Sequence, residues 1–195
     1  MRIIAFLGKK GSGKDTAVEI LDQLAKTQGN VTLNIITLAD PLKEEMYERL
    51  FKLEGFEPRC LYDRKIKETF RDFIIAYSNK FKKIIKTKYV WMLKAKKKLI
   101  DDPNVINVIT DIRIKDEIKF FNQYKGYDFT TVKIIRSKSR AEYYLQCIWD
   151  RIKRKDATET ELDFYPADYE IFNSSSLEDY QDKVTAFFHS TLPKL

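Results

Sequence analysis

Residues 8–16 read GKKGSGKDT, directly after the apolar run RIIAFL. Gly8 permits a sharp exit from a strand, and Gly11 and Gly13 let main-chain N–H groups turn inward. Amides gathered at a helix N-terminus form a cradle for phosphate oxygens. Lys14 is placed to reach the outer phosphates as a point charge. In loops that close Gly-Lys-Ser or Gly-Lys-Thr, the adjacent hydroxyl ligates magnesium directly. Here Asp15 stands in that position and the hydroxyl arrives one residue later, at Thr16. Asp15 is also a favourable charge at a helix N-terminus. Gly8, Gly11, Ser12, Gly13, Lys14, Asp15 and Thr16 are therefore the candidate nucleotide-phosphate residues, with Asp15 and Thr16 the candidates nearest a metal.

The Gly-Lys-x-Thr ending resembles that of adenylate-kinase-like enzymes. That likeness implies a small-molecule kinase rather than a motor or a switch, with Thr16 touching a phosphate and Mg²⁺ held largely through water and the nucleotide. Phosphoryl transfer to a second anion requires a second pocket and cations that neutralise the moving group. Four places qualify. LADPLK (38–43) offers Asp40 and Lys43. DRKIKETFRDF carries Arg64 and Arg71, seven residues apart and so on one face of a helix that starts early enough. TDIR (110–113) ends a strand with Asp111 and Arg113, and an acid there faces the phosphate loop. The segment after the fourth strand carries Arg136, Arg140, Arg151 and Arg154.

The elements that must position these residues follow from periodicity. Short runs rich in Ile, Val, Phe and Thr predict strands over Arg2–Leu7, Thr32–Leu38, Val105–Thr110, Thr131–Arg136 and Asp168–Asn173. Between them, apolar residues at three- and four-residue steps predict helices over Lys14–Gln28, Pro41–Leu53, Lys65–Tyr77, Tyr89–Ile100, Lys115–Tyr124, Ser139–Arg154 and Leu177–Ser190. This alternation predicts a three-layer α/β P-loop NTPase fold, a mainly parallel five-stranded sheet with helices on both faces. One domain is expected over residues 1–195. Acceptor-binding helices would occupy about 41–100, and a lid about 137–166. Lys155–Pro166 reads as a polar, mobile loop.

Composition narrows the class. The chain has 195 residues, 44% apolar and 33% charged, which describes a soluble globular protein. IIAFL is too short for a membrane span or a signal-peptide core. Cys60 and Cys147 lack a paired spacing and His189 is the sole histidine, which argues against zinc or a disulfide framework and for a reducing cytoplasm. The net charge of +7 concentrates in NKFKKIIKTKYVWMLKAKKKLI (79–100). Its aromatic and aliphatic residues recur at helical spacing, so the segment reads as an amphipathic helix pair with a solvated lysine face, not as a nucleic-acid surface.

Five blocks, in order, resemble the bacteriophage-type deoxynucleoside monophosphate kinases: FLGKKGSGKDT, LADPLKEEMYERL, FRDFIIAYSNKFKKIIKTKYVWMLKAK, VITDIRIKDEIKFF and TETELDFYPADYEIFNSSSLEDY. The resemblance spans about residues 2–185. It implies ATP and Mg²⁺ as cofactors and a nucleoside monophosphate as the small-molecule partner. By position it assigns Lys43, Arg71 and Arg113 to the acceptor's phosphate and Asp111 to the metal or the attacking oxygen. It gives Arg136, Arg140 and Arg151 to the lid and transition state, and Asn173 and Ser174 to the adenine. Two features depart from the pattern: KRKDATETE has no histidine, and Ile114-Lys115 replaces the usual Phe-Pro. Rival readings are a phosphomevalonate kinase, with a similar loop and Asp-x-Arg block, a polynucleotide 5′-kinase, and a non-catalytic P-loop protein binding nucleic acid through 79–100. A homodimer is left open.

Overall fold

The computed structural model describes residues 1–28, 31–153 and 160–191. Five strands, β1 (Arg2–Leu7), β2 (Thr32–Ile36), β3 (Val105–Ile112), β4 (Asp128–Ile135) and β5 (Tyr169–Phe172), form one sheet in the order β2-β3-β1-β4-β5. Every neighbouring pair is parallel. The central strand β1 is apolar on both faces, as a strand covered on both sides must be. Alternate side chains then separate the two layers. Ile4 and Phe6 pack with α1 (Lys14–Gln28) and the last helix (Leu177–Thr191) in a core that includes Ile106, Val108, Val132 and Ile134. On the other face, Ile135 meets Tyr143 and Cys147, and Phe121 stacks on Phe129. The fold is thus the three-layer, wholly parallel α/β arrangement. A buried Asn107 fixes the upper register by bonding Asn34 and the carbonyls of Arg2 and Ile100.

The chain divides into two compact units, Met1–Ile36 with Ile100–Leu195, and Thr37–Leu99. The second is helical: α2 (Asp40–Met46), α3 (Arg64–Thr69), α4 (Arg71–Ile85) and α5 (Val90–Lys96). Its core joins Leu42, Met46, Phe51, Cys60, Leu61, Val90 and Trp91. Here the periodicity misleads. The helix expected over Pro41–Leu53 changes at Tyr47 into a wider turn ending at Phe51. The helix expected over Lys65–Tyr77 breaks at Phe70, so Arg64 and Arg71 begin two separate helices rather than sharing one face. The lysine-rich stretch becomes α4 and α5, with Trp91 stacked on Phe81 and donating to Ser78 Oγ at 2.8 Å. Lys94 and Lys98 pair with Glu45 and Glu44. Ile84, Ile85 and Leu93 are exposed rather than buried.

The first unit continues with α6 (Lys115–Asn122), α7 (Arg140–Ile152) and α8 (Leu177–Thr191). β3 runs two residues past its expected end, to Ile112, and β4 starts three residues early, because Asp128 to Thr130 pair with Arg2 to Ile4 of β1. The stretch expected to be a loose loop is partly built into the core: Leu162 and Asp163 are buried, while 154–159 lie outside the described residues. Among the described residues, no helix is long and apolar enough to cross a membrane.

Candidate active site

In the sheet order, β1 lies between β3 and β4, the place where an open parallel sheet reverses direction and leaves a crevice at its strand ends. The glycine-rich turn leaves β1 there. Gly8 has φ +142° and a Cβ on it would stand 2.6 Å from the Ile134 carbonyl oxygen of β4. Gly13 has φ +104°, with Asn173 Nδ2 2.3 Å from where a Cβ would lie. Neither position admits another residue without strain. The turn is braced from the last helix and from β5's exit: Asn173 Nδ2 donates to Ser12 O at 2.9 Å and Tyr180 Oη donates to Gly13 O at 2.8 Å.

Lys14 opens α1 and is buried. Its Nζ donates back to Gly8 O (2.7 Å) and Lys9 O (3.0 Å), arching over the turn. Arg136, just beyond β4, donates to Gly11 O at 3.1 Å, so two cations converge on one loop. Ser12 Oγ is buried without a hydrogen-bond partner among the described residues. Gly-only backbone, an orphaned hydroxyl, a helix N-terminus and two cations fit the phosphates of ATP. Asp15 is exposed and Thr16 half-buried at the start of α1. Among the described residues, no group of three or more His, Cys, Asp or Glu could hold a metal alone. Asp15, Thr16 and Asp111 supply hard oxygen donors, and Mg²⁺ bound by one or two such groups takes its other ligands from phosphates and water.

The remaining candidates fall into three sets. Asp111, near the end of β3, and Arg113, just beyond it, are half-buried, and Glu117 caps the turn behind them by accepting from the Arg113 and Ile114 amides at 2.7 and 3.2 Å. Arg113 lines a cleft with Gly8, Lys9, Lys133, Tyr143 and Asp163. Arg140 and Arg151 of the fourth-strand segment bond elsewhere than the loop, and Arg154 lies outside the described residues. Arg140 pairs with Glu170 at 2.6 Å, and Arg151 lies 4.6 Å from the Phe164 ring centre. Ser174 is exposed, next to the bracing Asn173. In the second unit, Lys43 is buried against Asp40 (2.9 Å) with Nζ 4.4 Å from the Tyr62 ring centre, and Arg71 pairs with Glu68.

Beside the loop lies a polar cluster that the sequence reading missed. Lys9 Nζ bonds Asp150 (2.6 Å) and Asp163 (3.2 Å), both carboxylates almost wholly buried. Burial acts to lower the Lys9 ammonium, but the two acids outweigh it and hold its pKa above the ordinary value. Burial raises the Asp163 carboxyl, Lys9 only partly opposes this, and Asp163 Oδ2 has no partner among the described residues. One ammonium shared by two buried acids accounts for both directions. Lys133, buried in β4, donates to the carbonyls of Asp163 and Tyr165, and its pKa is lowered by burial. Burial also pushes the Tyr143 phenol well up. The available signal was periodic: Tyr143, Cys147 and Asp150 fall on one helical face, and Lys133 interrupts an apolar strand.

Comparison with known proteins bears on this geometry. The phosphomevalonate kinase family model matches residues 6–127, the phosphate loop through the Asp-x-Arg turn and α6. The chain belongs to the phosphomevalonate kinase family. It is an ATP-dependent kinase of the small-molecule type. A comparison with curated proteins finds no match. Similar solved structures include the APS kinase of Mycobacterium tuberculosis (13% identity, 96% of each chain, TM-score 0.45). Shikimate kinase from Aquifex aeolicus matches at 17% identity, 97% of each chain and TM-score 0.41. TT1252 from Thermus thermophilus matches at 16%, 97% and 0.47.

Proposed function

We propose that this kinase transfers the γ-phosphoryl group of ATP to a deoxynucleoside monophosphate, giving ADP and the diphosphate. The observation that carries the transfer is the convergence of Lys14 and Arg136 on a turn that only glycine can make at Gly8 and Gly13. In this reading the loop amides and Lys14 bind the triphosphate, and Arg136 and Arg113 offset the charge that develops during transfer. Asp111, Asp15 and Thr16 would hold Mg²⁺, which would supply charge neutralisation at the phosphate oxygens. The acceptor phosphate is already an oxyanion near neutral pH, so positioning rather than a strong base supplies the rate. Lys43, Asp40 and Arg71 are assigned to the acceptor, Asn173 and Ser174 to the adenine, and Arg140 and Arg151 to a lid.

Aromatic side chains support a nucleotide acceptor. Phe56 and Phe73 are part-exposed members of an edge-packed group around Phe51 and Phe70, offering ring surface to a base. The family match favours phosphomevalonate as the second reading. A coupled ADP-release assay over all common ribo- and deoxynucleoside monophosphates and phosphomevalonate separates them. Turnover with deoxynucleotides is expected. Turnover with phosphomevalonate alone would replace the first reading by the second, and turnover with none would remove both.

A further inference from the structure

Helix α7 has two faces of opposite fate. Tyr143, Cys147 and Asp150 point into the first unit and are buried. On the other side, Leu145, Ile148, Trp149 and Ile152 are 68, 49, 56 and 64% exposed, at the i, i+3, i+4, i+7 spacing of a single stripe. Tyr144 and Phe164, stacked with ring centres 5.6 Å apart, extend it sideways. The exposed apolar surface of these six residues is on the order of 600 Å², the upper end for a monomer's largest patch and most of the ~800 Å² per partner of a standard interface.

We infer that this face of α7 is the interface of a homodimer, in which two copies of α7 pack antiparallel about a two-fold axis between residues 148 and 149. The stripe is self-complementary in that register. Leu145 meets Ile152 of the partner subunit, and Ile148 meets Trp149 of the partner subunit, each contact occurring twice, as an isologous interface demands. The charges agree with it. The stripe itself carries no charged residue to be buried in the seam, and antiparallel packing opposes the two helix dipoles. The inference is independent of which acceptor is phosphorylated.

The test is the mass of the full chain by sedimentation and light scattering at micromolar concentration. The expected mass is twice that of one chain. Leu145→Arg and Ile152→Glu should each halve it, with unchanged circular dichroism because both positions are exposed. Mixing the two variants should restore a dimer, since one Arg-Glu contact forms and the other Leu-Ile contact is intact. Three results would overturn the inference: a monomeric wild type, a dimer indifferent to both substitutions, or variants that stay monomeric when mixed.

Discussion

Substituting Lys9 by Met removes an ammonium that touches both buried acids. The Asp150 and Asp163 side chains are 4 and 2% exposed, and Lys9 approaches them at 2.6 and 3.2 Å. Removing one partner from a buried ion pair costs about 3–5 kcal/mol at neutral pH. For a chain of this size that is a fall in Tm of roughly 6–20 °C. The pH dependence has a definite sign. Asp163 is already raised by burial, and losing Lys9 removes an opposing influence, so its folded pKa climbs further above the unfolded value of about 3.9. Between those two values the folded state binds more protons than the unfolded one, so stability falls as pH rises through the folded pKa. Lys9 itself has a raised pKa and is charged throughout the range from pH 5 to 8, so it adds no slope there. The variant's deficit should therefore grow as pH rises and shrink as pH falls towards the unfolded carboxyl value. Urea denaturation of both proteins across that range measures it. Adding Asp150→Asn and Asp163→Asn to the variant should recover much of the loss at pH 8, because neither buried acid is then left charged. A deficit below about 1 kcal/mol, or one flat with pH, would refute the account of one ammonium serving two acids.

Three further outcomes are expected. Lys14→Met should cut kcat by about 10²–10³ while circular dichroism stays unchanged, and near-normal turnover would remove the site assignment. Gly13→Ala, with its Cβ forced onto Asn173, should lose about 2–3 kcal/mol in thermal melts through a strained φ and a broken Asn173–Ser12 bond, whereas Gly11→Ala, with open space around it, should lose less. Trp91→Phe should cost about 1 kcal/mol in urea melts, the value of a hydrogen bond to Ser78 Oγ.

What could be read from the chain depended on how local its causes are. β1 and α1 match their expected limits because an apolar run, a glycine turn and a periodic helix all lie within Arg2–Gln28, and the phosphate loop is made within nine consecutive residues. The start of β4 was hidden because Gly126 and Asp128 look like turn residues, and it is the pairing of Asp128 with Arg2 of β1 that makes it strand. The break at Phe70 was hidden for a related reason. Nothing in KETFRDF forbids a continuous helix, but Phe70 packs edge-on against Phe51 and Phe56, and that contact comes from a segment 14 to 19 residues earlier.

The site divides along the same line. Arg136 reaches Gly11 across 125 residues, yet it was legible, because the end of a parallel strand next to β1 must open beside the loop leaving β1. The Lys9–Asp150–Asp163 cluster joins a loop, a helix and a turn, and no single segment shows it. Helix α7 carries apolar residues on both faces, so periodicity alone does not tell which face belongs to the core. The polar residue decides it. Asp150 follows Tyr143 and Cys147 by seven and three residues, and an acid can be buried on that face only if a cation meets it there. Lys9, fixed by the loop it belongs to, is that cation. The phosphate loop thus orients α7, and by turning Asp150 inward it turns Leu145, Ile148, Trp149 and Ile152 out.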